Sequence, residues 1–247
     1  LFSRQKKTLY GEAWSLIKIN EAEINQEHYS TIQSSPLFIV QAGKQLGNKQ
    51  ITGIGYLQAA QLKMYGNKPA EAELLFEKSL QLLTDDNVYT ALCWNERGYN
   101  ASLQSNLEKQ TAYYLNALRL YEKIKNKSGA AMVYSNLSVM YYDLGQTEKA
   151  IAYAKQSISI REQLQDIRGL SYAYRNLSQM YLKTDLTEAA KYAALCTKVA
   201  ELLKDDGRLI HAINTTGLVK GSEGDKNEVL TSALQVLEIL KKKTNFS

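Results

Sequence analysis

The sequence predicts an all-α fold, a solenoid built from about six antiparallel helix pairs. Three observations support this fold class: a repeat of about 40 residues, five evenly spaced polar junctions, and apolar residues at three- and four-residue spacing. The alternating apolar pattern and the hairpin turns that indicate β-strands are missing. Because one helix pair cannot bury its own apolar face, we expect the pairs to stack around one continuous core.

The repeat is clearest in two consecutive units. Residues 131–164 share ten identities with residues 171–204, the corresponding segment of the next unit. The preceding unit aligns more loosely in the same register and places Gly98 on Ser138. Small side chains allow two helices to approach closely. We expect this role for Ser138, Ala150, Ser178 and Ala190.

Five polar junctions divide the chain, and each follows an apolar helix end. They recur at intervals of about 40 residues, the period of a long helical repeat. The junctions are Leu46–Lys49, Leu83–Asp86, Ile124–Lys127, Leu164–Ile167 and Leu203–Asp206. The predicted parts of one continuous solenoid domain are a degenerate N-terminal helix pair at 1–49, repeats at 50–86, 87–127, 128–167, 168–206 and 207–240, and a C-terminal tail at 241–247.

Local signals predict where some helices begin and where one is disturbed. Thr147 is placed to cap the second helix of its unit, and Ser105 and Glu108 have the spacing of a capping box. In the first helix pair, Pro36 is expected to kink or break the second helix. Proline lacks the backbone N–H, and its ring clashes with the preceding helical turn.

Two segments carry a family resemblance. They read Tyr134-x2-Leu137-Ser138-x2-Tyr141 and Tyr174-x2-Leu177-Ser178-x2-Tyr181. This pattern resembles the start of the tetratricopeptide repeat signature, W-x2-L-G-x2-Y. In the preceding unit, Trp94 and Gly98 supply the tryptophan and the glycine of that signature. Ala150 and Ala190 fit the small residue of the second helix.

The chain departs from the family pattern in two ways. Ala154 and Ala194 stand where the second helix of the family carries an aromatic residue, and the closing proline is absent. The longer period resembles that of kinesin light chains, bacterial peptide-response regulators and tetratricopeptide sensor proteins. The resemblance covers roughly residues 50–240. It implies a right-handed superhelical solenoid whose first helices line a concave groove.

Polar residues on the first helices, opposite the core face, are the candidate peptide-binding residues. Asn136 and Asn176 occupy one position on consecutive first helices, where an asparagine of the relatives often bonds a peptide backbone. An amide suits this task because it both donates and accepts hydrogen bonds. In the preceding unit Glu96 takes this position. The candidate groove residues are Asn95, Glu96, Tyr99, Ser135, Asn136, Arg175, Asn176, Gln179 and Lys183.

The resemblance implies a non-catalytic module that binds a protein or peptide, within a bacterial sensory or regulatory protein. The alternative is a small-molecule sensor whose ligand is enclosed by a superhelix with 17 tyrosines. An enzyme would need two buried titratable groups in one cleft, and the sequence offers no such set. Two histidines and two cysteines are too few for most metal clusters, so we expect neither metal nor cofactor. Cys93 and Cys196 are expected to be small packing residues.

Charge and hydropathy narrow the range of partners. The net charge of +5 comes from scattered residues, so we expect no nucleic-acid binding by this segment. No apolar run approaches ~18 residues, which predicts no membrane insertion by this segment. The chain begins at Leu1 rather than Met, and its start lacks the pattern of a secretory signal. We therefore expect a mature product or an excised fragment of a longer protein. Cytoplasm and periplasm both remain open. The apolar Leu237, Ile239 and Leu240 make self-association through terminal helices a further alternative.

Overall fold

A computed structural model of the chain describes residues 2–26, 28–84 and 86–244. Twelve α-helices and one 3₁₀ helix, Tyr29–Ile32, form the regular structure of these residues, which contain no strand. The helices are α1 (Phe2–Asn25), α2 (Ser35–Leu46), α3 (Lys49–Tyr65), α4 (Pro69–Leu82), α5 (Val88–Leu103), α6 (Leu107–Lys123), α7 (Lys127–Asp143), α8 (Thr147–Gln163), α9 (Ile167–Tyr181), α10 (Leu186–Leu203), α11 (Asp206–Ser222) and α12 (Lys226–Thr244). The predicted all-α fold of helix pairs is confirmed.

Short turns connect the helices, and each of the five polar junctions lies between two of them. After α6, Lys125 takes a left-handed conformation with φ 55°, and the N–H of Asn126 donates to the carbonyl of Tyr121 at 2.8 Å. After α8, Gln165 has φ 54°, and the N–H of Asp166 donates to the carbonyl of Arg161 at 2.9 Å. A left-handed residue followed by such a bond satisfies the last helical carbonyls and ends the helix sharply.

The chain divides into two compact units, Leu1–Gly129 and Ala130–Ser247. In the first unit each helix packs against the next one along the chain, and α3 also contacts α1 and α5. In the second unit α8 to α12 pack in chain order, and α9 also contacts α11. Contacts between neighbours and between successive first helices are those of stacked helix pairs.

Each unit buries its own apolar residues. In the first unit one cluster includes Ile17, Ile39 and Ile54, and a second includes Phe76 and Cys93. In the second unit the largest of the described clusters joins α8 to α11. Its buried members are Ala150, Ala154, Ile158, Leu170, Ala173, Tyr174, Leu177, Met180, Cys196, Ala200 and Ala212. Cys93 and Cys196 are free and buried, as the sequence predicts.

Small residues stand at the helix crossings, where the sequence places most of them. Ser138, Ala150 and Ser178 are buried, and the Ser178 hydroxyl donates to the carbonyl of Ala189 at 2.8 Å. The assignment of Ala190 to this role is wrong, because Ala189 is the fully buried residue and Ala190 is only partly buried. The small side chains of Ser178 and Ala189 therefore let α9 and α10 approach closely. The contact residue on α10 lies one position earlier in the sequence than predicted.

The same one-residue shift continues along α10. Ala193 is buried and Ala194 is exposed, although the sequence alignment equates Ala194 with the buried Ala154 of α8. The connection from Ser178 to the start of α10 is one residue shorter than the connection from Ser138 to the start of α8. The shorter turn moves every following core position back by one residue.

Ring contacts between the two helices of a pair confirm this shift. Tyr134 on α7 packs on Tyr153 on α8, with their centroids 6.0 Å apart. In the next pair, Tyr174 packs at the same distance on Tyr192, which stands one position earlier than a strict repeat of the first contact would place it. The contact is kept and the sequence spacing changes, so packing rather than a strict repeat sets the register of α10.

Three helix starts differ from the sequence prediction. Ser105 cannot cap α6, because it adopts a left-handed conformation with φ 54° that ends α5, and the side chain of Asn106 accepts from the N–H of Lys109 instead. Thr147 is the first residue of α8; the preceding Gln146 is the N-cap and makes no capping bond. Pro36 lies in the first turn of α2. Its missing N–H costs no hydrogen bond there, so it begins the helix rather than kinking it.

Candidate functional site

The candidate residues form one group in each unit. In the second unit, the α7–α9 surface comprises Ser135, Asn136, Arg175, Asn176, Gln179 and Lys183. In the first unit, the α5 group comprises Asn95, Glu96 and Tyr99.

On the α7–α9 surface the two asparagines take matching positions beside the core. The residues that follow them, Leu137 and Leu177, are fully buried, and both asparagines are half-buried. The Tyr142 hydroxyl on α7 donates to the carbonyl of Gln179 on α9 at 3.3 Å. The asparagine amides therefore stand one repeat apart on helices that are bonded directly to each other.

Ser135 is partly buried and contacts the second helix of its own pair. Its Oγ is 2.8 Å from the Oγ of Ser157 on α8, and its carbonyl accepts from the Ser138 hydroxyl at 2.7 Å. Ser157 in turn donates to the carbonyl of Ala131 at 2.8 Å. Ser135 thus contributes to the crossing of α7 and α8.

The α7–α9 surface also has basic and aromatic side chains. The Arg175 guanidinium lies 5.2 Å from the centroid of the Tyr172 ring, and the Arg208 guanidinium lies 4.6 Å from it. Asp205 caps α11 and holds Arg208 with a bond of 3.1 Å to Nε. Lys183 is exposed. Arg208 was not among the sequence candidates, since it belongs to the next repeat and reaches the surface only by helix packing.

In the α5 group the structure buries two residues that the sequence places on an open groove. Asn95 and Glu96 are 2% and 7% exposed, because α3 packs beside α5, whereas Tyr99 is 40% exposed. The Nδ2 of Asn95 donates to Oε1 of Glu96 at 3.2 Å. Gln61 and Tyr65 of α3 also hydrogen-bond the Glu96 carboxyl group.

Burial dominates the chemistry of Glu96. It raises the pKa of the carboxyl group from 4.5 to about 7, against the lowering effect of the hydrogen bonds from Asn95, Gln61 and Tyr65. Desolvation of the charged form outweighs hydrogen bonds from neutral donors. The carboxyl group therefore changes its protonation state near neutral pH.

Polar residues of α3 extend the hydrogen-bonded group around Glu96. Gln58, Gln61 and Tyr65 follow one another at helical spacing, and the first two are buried. The Nδ2 of Asn20 donates to Oε1 of Gln58 at 2.7 Å, so a polar side chain joins α1 to α3 just as Gln61 joins α3 to α5. The spacing at three- and four-residue intervals was visible in the sequence, although the resemblance did not single it out.

A cavity of about 770 Å³ lies in the first unit, between the 3₁₀ helix, α2, α3 and α4. Its wall is mainly apolar, and Lys63 and Lys68 stand at its edge, where both pair with Glu71. Stacked rings of Tyr29 and Tyr65, 4.2 Å apart, form part of its wall. The cavity has the size of a small-molecule site.

Helix α12 carries several exposed apolar side chains. They are Val229, Leu230, Leu234, Leu237 and Leu240. Leu237 and Leu240 are two of the three apolar residues from which self-association was predicted in the sequence analysis. Self-association through the terminal helices stays a prediction.

Among the described residues, no group of three histidine, cysteine, aspartate or glutamate side chains is placed to hold a metal ion. None of the described helices is long and apolar enough to cross a bilayer.

Comparison with known protein families finds a match for part of the chain. Residues 89–163 match the profile of the tetratricopeptide repeat family. No curated protein matches the chain significantly.

Several solved structures resemble the chain at low sequence identity. BtubC (BKLC) from P. vanneervenii is 15% identical with a TM-score of 0.74, over 87% of this chain and 92% of that one. Aspartyl phosphate phosphatase F from Bacillus subtilis is 14% identical with a TM-score of 0.73, over 99% and 69%. A signal transduction ATPase with a tetratricopeptide repeat sensor from Pyrococcus horikoshii is 18% identical with a TM-score of 0.71, over 96% and 38%.

The predicted resemblance is confirmed by the matched segment and by the helix-pair geometry on both sides of it. At this level of identity the solved structures establish the fold alone. Residues 89–163 thus match the tetratricopeptide repeat family, and the described chain has a fold of stacked helix pairs similar to that of the solved structures.

Proposed function

We propose that the protein is a non-catalytic module of a bacterial sensory or regulatory protein, and that it binds an extended peptide or protein segment along its first helices. The observation that carries the proposal is the recurrence of Asn136 and Asn176 at one position of two successive first helices, at the edge of the core. In this proposal the two amides hold the peptide main chain.

The spacing of the two helices suits an extended ligand. Packed helices lie ~8–10 Å apart, and an extended chain advances ~3.3 Å per residue, so neighbouring amides would meet peptide groups about three residues apart. An amide offers a donor and an acceptor to each group that it meets. Arg175, Gln179 and Lys183 beside the asparagines would then contact side chains of the peptide.

The sensory or regulatory context rests on likeness of fold. The Pyrococcus horikoshii protein is described as a signal transduction ATPase with a tetratricopeptide repeat sensor, and this chain spans 38% of it. By analogy, the present chain would be the recognition part of a longer protein.

A peptide selection tests the proposal. A random 12-residue peptide library is selected on the wild type, and a selected peptide is labelled for fluorescence anisotropy. The Asn136→Ala/Asn176→Ala variant should bind it at least tenfold more weakly, since two main-chain contacts are lost. The matched control is Asn116→Ala, which removes a half-buried amide from the second helix α6. Equal binding by both variants, with unchanged circular dichroism, would move the site away from α7 and α9.

The cavity of about 770 Å³ in the first unit supports a second candidate, the recognition of a small molecule. Its apolar wall and lysine edge would suit an amphipathic acid. A metabolite thermal-shift screen, with Leu62→Trp to fill the cavity, tests this candidate. A stabilising compound that no longer stabilises the variant would favour it over peptide binding.

A further inference from the structure

We infer that Glu96 and the tyrosine rings of Tyr65 and Tyr99 form a subsite for a basic side chain, lysine or arginine, of a bound peptide. The inference rests on the proposed function, because it assigns the class of side chain that a peptide ligand would carry. Its evidence comes from the first unit alone.

The Glu96 carboxyl group has hydrogen-bond partners but no counter-charge. Its partners are the neutral side chains of Asn95, Gln61 and Tyr65. None of the ion pairs among the described residues includes Glu96, and the adjacent Arg97 pairs with Glu73 instead. A buried carboxylate without a cation is costly, and a cation brought by a ligand would remove most of that cost.

Apart from the paired Arg97 and Glu73, the titratable groups around Glu96 are neutral near pH 7. Tyr65 of α3 contacts its carboxyl group, and burial and the charge of Glu96 raise the pKa values of Tyr114 and Tyr121 of α6. On α5 itself, the thiol of Cys93 is buried, and its pKa is raised to about 12. The surroundings therefore offer an anion with no basic group facing it.

Aromatic rings connect this anion to the surface. Tyr65 is 38% exposed and Tyr99 is 40% exposed, and their ring centroids lie 6.4 Å apart at an angle of 37°. Tyr29 stacks on Tyr65 at 4.2 Å and holds that ring in place. The Tyr65 hydroxyl donates to the Glu96 carboxyl group, so a cation over the face of this ring that Tyr29 leaves open would interact with both the π-electrons and the carboxylate. Lysine and arginine are the side chains that use this combination.

The 12-residue library selection at pH 8 gives the first test. Peptides selected on the wild type should share a lysine or arginine at one position, and Glu96→Gln should remove that preference. Glu108→Gln, an exposed carboxylate in the first turn of α6, is the matched control and should keep it. Should Glu96→Gln fail to fold, Tyr65→Ala/Tyr99→Ala removes the rings, leaves the carboxyl group, and should lose the preference as well.

The pH dependence of binding gives the second test. A ligand cation needs the carboxylate, whose fraction rises from about 0.09 at pH 6 to about 0.91 at pH 8 for a group that titrates at about 7. The selected lysine peptide should therefore bind the wild type about tenfold more tightly at pH 8. Its norleucine analogue, and either peptide on Glu96→Gln, should show no such change.

The outcomes separate this inference from the proposed function. Peptides that depend on Asn136 and Asn176 but share no basic position would overturn the inference and leave the proposed function standing. The same tenfold pH effect in Glu96→Gln would also overturn it. If no peptide is selected, both fail.

Discussion

The burial of Glu96 has a measurable effect on stability, independent of any ligand. Its pKa is 4.5 in ordinary surroundings and about 7 in the folded protein, because desolvation disfavours the carboxylate. The folded state thus holds the proton more tightly than the unfolded state. The contribution of Glu96 to stability is therefore fully present below pH 4.5 and is lost as the pH rises through about 7. Between pH 5.5 and pH 8, these two pKa values give a loss of about 2 kcal/mol.

Tryptophan fluorescence can measure this loss in the first unit alone. The chain has two tryptophans, Trp14 and Trp94, and both belong to Leu1–Gly129. Urea unfolding at pH 5.5 and pH 8 should show the wild type less stable at pH 8 by about 2 kcal/mol. Glu96→Gln carries no titrating proton, so the difference between the two pH values should shrink to that of the remaining groups. An equal pH dependence in the variant would refute the role assigned to Glu96.

Three further predictions concern a helix cap, a close helix approach and a buried ion pair. Gln146→Asp supplies the side-chain acceptor that the N-cap of α8 lacks, and should raise the free energy of unfolding by about 1 kcal/mol in urea titrations followed by circular dichroism. Gly98→Ala would push a methyl group into the Tyr114 ring and should cost about 1–3 kcal/mol, whereas Gly11→Ala, with open space around it, should be neutral or stabilising. Arg97→Ala leaves the carboxylate of its α4 partner without its cation and should cost about 3–5 kcal/mol; a loss below about 1 kcal/mol would show that the pair is solvated.

The sequence predicted those features that depend on local pattern. The helix pairs, the polar junctions and the core positions around Leu137 and Leu177 follow from periodicity, which is fixed by the geometry of one helix. Two capping residues were misplaced by one position, because Ser105 and Thr147 are acceptable caps in isolation. In the turns before α6 and α8, the position of the left-handed residue determines which residue becomes the N-cap.

Features that depend on packing between repeats could not be predicted from the local sequence pattern. The shift that buries Ala193 rather than Ala194 arises from one residue fewer in a turn. The burial of Glu96 depends on Gln61 and Tyr65, which belong to α3 in the preceding repeat. A charged residue opposite the core face normally faces solvent, so its sequence position alone gives no sign that α3 covers it.

The central claim is that a peptide binds along the first helices. Hydrogen–deuterium exchange of the protein, with and without a selected peptide, tests it most directly. We expect slower exchange in α7 and α9 around Asn136 and Asn176, and no change in α12. Slower exchange confined to α8, α10 or α12 would contradict it.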